Sequence, residues 1–129
     1  MIFVDTNYFL RFFLKDNSDQ YLEVKRLFLK SAKGGTVLVT STVVIFEVYW
    51  VLKSYYHRDR VEISQTLQNI IDLNFIELPE RSTIQRGLDL FKQTNLSLGD
   101  CYNLVFAKEQ DVESFKTFDL KLAKAFKTQ

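Results

Sequence analysis

The sequence predicts an α/β fold: a three-layer α/β/α domain around a central, mainly parallel four-stranded sheet. Short apolar runs alternate with longer amphipathic segments, the pattern of strands joined by crossover helices. A single Pro and four Gly leave no flexible linker, and no repeat or low-complexity tract breaks the alternation. At 129 residues the chain reads as one domain, 1–129, long enough to bury a core.

Each element follows from local pattern. Ile2–Val4 is a short apolar run ended by Asp5, and Tyr8–Leu14 then has helical character. Tyr21, Val24, Leu27, Phe28 and Ser31 recur at helical spacing until Gly34-Gly35 stops the helix. Val37–Val39 is the second strand, and Ser41 or Thr42 caps the decapeptide VVIFEVYWVL, Val43–Leu52. That run exceeds an ordinary strand in length, which predicts a helix. Arg60–Leu73 is a further helix and Phe75–Leu78 the third strand. Pro79 stands where a helix running through Phe91 can begin. Leu98-Gly99-Asp100 opens a helix to Ala107, Phe115–Phe118 is the fourth strand, and Leu120–Phe126 is the last helix.

Composition excludes several function classes. A net charge of +1 is no polycation, so nucleic-acid binding requires a local basic face. One cysteine, Cys101, allows no internal disulfide and fits a reducing compartment. MIFVDTN has neither the basic nor the long apolar region of a signal peptide, and VVIFEVYWVL is too short to span a bilayer. The expected location is cytoplasmic, without a membrane.

Four acids stand out. In open α/β sheets, ligands bind beyond the carboxyl ends of the strands, where strand order reverses. Asp5 ends the first strand-like run, Asp119 the last, and Asp100 lies at a helix N-terminus. Glu47 interrupts an otherwise apolar decapeptide, with Val43, Val44, Trp50 and Val51 around it at helical spacing and no obviously wet face. Each acid also has a structural reading: Asp5, Asp100 and Asp119 as helix caps, Glu47 as the buried partner of a Lys or Arg.

Two carboxylates about 5 Å apart repel by roughly 3 kcal/mol at an effective dielectric of about 20, so a cluster of four calls for a cation. Hard oxygen donors favour Mg²⁺ or Mn²⁺ over Zn²⁺, and no Cys/His set suggests zinc. His57 reads as a surface residue of the loop YYHRDR, and Cys101 as a small helix-facing residue. Mg²⁺ held by carboxylates and a substrate phosphate is the usual apparatus of phosphodiester hydrolysis.

The motifs VDTNYFLRFFL (Val4–Leu14), STVVIFEVYWVL (Ser41–Leu52), LSLGDCYNLVFA (Leu96–Ala107) and FKTFDLKLAK (Phe115–Lys124) occur in that order. Together they resemble the PIN domain, a Rossmann-like fold, in the form of the VapC-type toxin ribonucleases of type II toxin–antitoxin pairs. The resemblance implies that Asp5, Glu47, Asp100 and Asp119 are a catalytic, metal-binding quartet for Mg²⁺ or Mn²⁺. It places Thr6, Asn7 and Thr117 beside the site, as supporting or phosphate-contacting groups. It implies in-line attack of a metal-activated water on RNA, leaving a 5′-phosphate and a 3′-hydroxyl, and it implies a homodimer silenced by a cognate antitoxin. Cys101 stands where such proteins often have Ala, and a fifth strand, which the family often adds after the last helix, is left open.

Arg11 and Lys15 follow Asp5, and Lys121, Lys124 and Lys127 follow Asp119. Arg11, in the first helix, is the best candidate to steer phosphates. The terminal lysines equally suit a helix C-terminus. Phe12, Phe13, Tyr49, Trp50, Tyr55 and Tyr56 supply an aromatic surplus for core or partner contacts. Two other readings stand beside the toxin: a housekeeping RNA-processing nuclease of the same fold, and a non-catalytic Mg²⁺-binding regulatory α/β domain. The latter expects adjacent acids at the first strand end and one at a central strand. Asp5 has no acidic neighbour, and Val37–Thr40 ends without an acid.

Overall fold

A computed structural model describes residues 1–128 of the chain. The described residues form three strands and seven helices, in two compact units, Met1–Arg81 and Ser82 onward.

The first unit holds the sheet. Its strands are β1 (Ile2–Phe3), β2 (Leu38–Val39) and β3 (Ile76–Glu77), all parallel and in the order β1-β2-β3. Ile2 pairs with Leu38 and Leu38 with Ile76. The ladder extends past the strand ends, where Val4 N–H donates to Val39 C=O at 2.8 Å and Thr40 N–H to Glu77 C=O at 2.9 Å. Between β1 and β2 lie α1 (Thr6–Leu14) and α2 (Ser18–Ala32); between β2 and β3 lie α3 (Thr42–Ser54) and α4 (Arg60–Ile71). Parallel strands require such crossovers, and helices are their usual form.

The unit's aromatic residues are largely spent on packing. Phe28 of α2 lies 6.0 Å from Phe9, 4.9 Å from Phe12 and 5.7 Å from Phe75, measured between ring centroids. Phe12 also stacks on Tyr21 at 5.7 Å. These contacts lock α1 against α2, and truncating a buried Phe at such a centre costs about 3–5 kcal/mol. Local signals set the helix ends. Asn17 caps α2 by accepting the Gln20 N–H, and Asp59 and Glu62 form a reciprocal capping box on α4. α1 stops at Lys15, which adopts the left-handed conformation (φ 56°) and donates its N–H to Arg11 C=O.

The decapeptide is helical, as its length predicts, and the helix does have a wet face. Val44, Ile45, Val48, Tyr49 and Leu52 are buried, whereas Val43 (64% exposed), Glu47 and Trp50 (63%) share the opposite side. Glu47 is therefore no buried ion-pair partner. Two apolar neighbours on an exposed face concealed this from the sequence pattern.

The second unit packs α5 (Arg81–Gln93), α6 (Leu98–Glu109) and α7 (Leu120–Thr128). α5 starts at Arg81, past Pro79, because Leu78–Arg81 closes a turn with Arg81 N–H donating to Leu78 C=O at 3.0 Å. Gly87 lets α5 approach α6: a Cβ there would sit 3.4 Å from the Tyr102 Cα. Cys101 is buried on α6 with its sulfur 3.7 Å from the Thr94 hydroxyl. Exposed His57 occupies a left-handed turn (φ 52°).

The fourth strand is corrected. Phe115–Phe118 contains no strand, so the described sheet has three members rather than four. Phe118 is fully exposed, and Phe115 stacks on Phe126 at 5.3 Å instead of entering a sheet face. At the end of this segment the Asp119 N–H is taken by the Thr117 hydroxyl at 3.1 Å, a local bond that competes with ladder pairing. The strand order runs without reversal, so Asp5 follows an edge strand and not a switch point of the described sheet.

Candidate active site

Asp5 is placed by the β1–α1 junction. It is the N-cap of α1 in an extended conformation (φ −90°, ψ 171°), and Oδ1 accepts the Thr6 N–H at 2.8 Å. The carbonyl just before it, on Val4, accepts the buried Thr40 hydroxyl at 2.8 Å. Thr40 directly follows β2, so its hydroxyl ties that strand end to the residue preceding Asp5. The sequence marks this position only by a Thr after VLV.

Thr6 joins two of the candidates. Its side chain is buried, and its hydroxyl donates to Glu47 Oε2 at 2.8 Å while its N–H serves Asp5. Glu47 and Asp5 thus flank a single threonine at the meeting of α1 and α3. Both acids are exposed, and among the described residues neither pairs with Lys or Arg. A capping duty explains one oxygen of Asp5, and nothing in the fold requires Glu47 to be acidic.

Asp100 and Asp119 belong to the second unit. Ser97, not Asp100, caps α6: its hydroxyl accepts the Asp100 N–H at 3.1 Å. Asp100 lies in the first helical turn with a half-exposed side chain that has no cationic partner among the described residues. The cap reading of Asp100 is thereby removed. For Asp119 it holds, since Oδ1 accepts the Leu122 N–H at 3.1 Å at the start of α7. Thr117 orients it from the other side through its backbone N–H. Lys121 and Lys124 line a shallow hollow with Thr94 and Leu96.

Arg11 is half-buried and engaged. Its guanidinium donates to Asp16 at 2.9 Å and to the Tyr56 hydroxyl at 3.1 Å, and Tyr56 donates in turn to Asp16 at 3.2 Å. Asn7 and Arg11 also line a cavity of about 170 Å³ between α1 and α2.

Each of the four carboxylates is a hard oxygen donor without a salt bridge among the described residues, which suits a divalent cation such as Mg²⁺ or Mn²⁺ and not a soft one. Among the described residues, however, no three Asp, Glu, His or Cys side chains stand as a ready group for a metal. Asp5 and Glu47 are the pair that the first unit assembles by itself.

The PIN domain family matches residues 2–127. This chain belongs to the PIN domain family. No curated protein matches it. PIN domains are generally nucleases that act on nucleic acid with divalent metals, so the family places the chain among hydrolases of phosphodiester bonds. The match spans both compact units and all four candidate acids. No helix among the described residues is long and apolar enough to cross a membrane.

Proposed function

We propose that this PIN domain is an Mg²⁺- or Mn²⁺-dependent endoribonuclease acting as the toxin of a type II toxin–antitoxin pair of the VapC kind, in the cytoplasm. The observation that carries the reading is Thr6, which holds Asp5 and Glu47 at once although neither acid has a cationic partner among the described residues. Acids kept together without a counter-charge are costly unless a cation joins them.

Asp5, Glu47, Asp100 and Asp119 are the residues that would hold the ion in this reading. When bound, it supplies a water of lowered pKa and offsets the charge that develops on the phosphodiester. The chain's own residues do the positioning. Thr6 holds both acids of the first unit, Asp5 through its backbone N–H and Glu47 through its hydroxyl. Thr117 orients Asp119, and Ser97 orients the turn that carries Asp100. Asn7, exposed on the first turn of α1, and Thr117 contact phosphate oxygens. Arg11 attracts the backbone through the N–H groups that Asp16 and Tyr56 leave unused. The products are a 5′-phosphate and a 3′-hydroxyl.

Val43 and Trp50 stand exposed on either side of Glu47 along α3. An apolar rim around an acid suits cover by a protein partner, in agreement with an antitoxin or a second copy of the chain.

The test is cleavage of RNA by purified protein freed of any partner. Cutting should require Mg²⁺ or Mn²⁺, stop on chelation and be lost in Asp5→Asn with the circular dichroism unchanged. Cleavage that persists in both Asp5→Asn and Asp100→Asn removes these residues from the mechanism. Cleavage without growth arrest on expression favours a housekeeping nuclease.

A further inference from the structure

The cavity between α1 and α2 holds a carboxylate, Glu23, that hydrolysis does not use. Val24 floors it, and Asn7, Tyr8, Arg11, Gln20 and Glu23 line it. Tyr8 donates its hydroxyl to Glu23 Oε2 at 2.7 Å, which fixes the Glu23 carboxylate beside the ring. A carboxylate has about four acceptor sites, and Tyr8 takes one of them. No Lys or Arg pairs with Glu23 among the described residues, and Arg11 is held instead by Asp16 and Tyr56. Tyr8 follows Asp5 by three residues, about 4.5 Å along the helix axis, so the cavity is a near neighbour of Asp5.

We propose that this cavity takes a guanine base of the bound RNA, with Glu23 as the reader. The proposal rests on the nuclease reading above. A free carboxylate repels phosphate and asks for N–H donors. Guanine alone among the four bases presents two donors side by side, N1–H and N2–H₂, matching the two carboxylate oxygens. Adenine and cytosine offer one amino group beside a ring acceptor, and uracil flanks its single N–H with carbonyls that face the carboxylate unfavourably. The amide of Gln20 is of the right type to donate to guanine O6. The Tyr8 ring supplies an aromatic wall of the sort on which single-stranded bases stack.

The experiment titrates GMP, IMP, AMP, CMP and UMP, which carry no phosphodiester to hydrolyse, into the purified chain and follows binding by NMR. GMP should bind at least tenfold tighter than AMP, CMP or UMP. IMP, which lacks the N2 amino group, should fall between. Glu23→Gln, at an exposed position, should bring all five within about twofold. Tyr8→Phe breaks the same Tyr8–Glu23 bond but keeps the carboxylate, and should retain the order of preference. Equal binding of the nucleotides, a preference for another base, or a GMP preference that survives Glu23→Gln overturns the proposal. Loss of preference in both variants does so too, by tracing the effect to helix packing. RNA cleavage assayed on the unmutated chain reports separately on the nuclease reading: a GMP preference without cleavage sinks that reading and leaves the guanine site standing.

Discussion

The Thr6 hydroxyl meets the Glu47 carboxylate at 2.8 Å, joining residues 41 apart in the chain. The same residue's N–H serves Asp5, so one buried threonine sets the spacing of two acids on different elements. Groups that orient metal-binding carboxylates typically contribute about 10–100-fold to metal affinity or activity. Thr6→Val, near in shape but without the hydroxyl, should lower the RNA cleavage rate by that order with the fold intact. Thr6→Ser should retain most of the rate. Full activity in Thr6→Val would remove the bond from the mechanism.

Thr40 is the corresponding device one strand over. Its hydroxyl is buried and satisfies the Val4 carbonyl immediately before Asp5. Thr40→Val leaves a buried acceptor short of a donor, a loss of about 1–3 kcal/mol. Urea unfolding should show the midpoint falling with the slope unchanged.

Arg81 closes the far end of the first unit. Its guanidinium donates to the carbonyls of Ile71, Leu73 and Ile76, at the end of α4 and the entry to β3. A planar fork can serve several acceptors where an ammonium cannot. Arg81→Lys should therefore recover only part of the roughly 1–3 kcal/mol lost in Arg81→Met, read by chemical denaturation.

Tyr8 gives a pH signature. Its hydroxyl is held above the ordinary tyrosine range, chiefly by the hydrogen bond to Glu23, then by burial and by that residue's charge. Folding thus favours the neutral phenol. The stabilisation is complete below the unfolded value of about 10 and is lost as pH rises through the elevated folded value. Ultraviolet titration of tyrosinate should contain a late component that disappears in Tyr8→Phe. A component unchanged by that substitution would contradict the assignment.

Much of this was legible in the chain. The alternation of runs gave three parallel strands and seven helices close to their predicted places, because hydrophobic period reports which face is buried. It failed where burial and polarity part company. Val43 and Trp50 are apolar yet exposed, so the pattern hid the open face of α3 on which Glu47 stands. Phe115 and Phe118 suggested a strand, but one stacks on α7 and the other lies in solvent. The helix that carries Asp100 begins at Leu98 as the pattern predicts, but Ser97 is its cap, and the acid three residues on is left in the first turn. The sequence marks Thr6 only as a neighbour of the site. Its bond to Glu47 depends on how α1 packs on α3, which no local pattern encodes.

Calorimetric titration of Mn²⁺ into the purified chain reads whether carboxylates distant in sequence act through one kind of divalent cation. Binding should be saturable and weaken at least tenfold in each of Asp5→Asn, Glu47→Gln, Asp100→Asn and Asp119→Asn, with circular dichroism unchanged. Mn²⁺ binding of equal strength in Asp5→Asn and Glu47→Gln would contradict it.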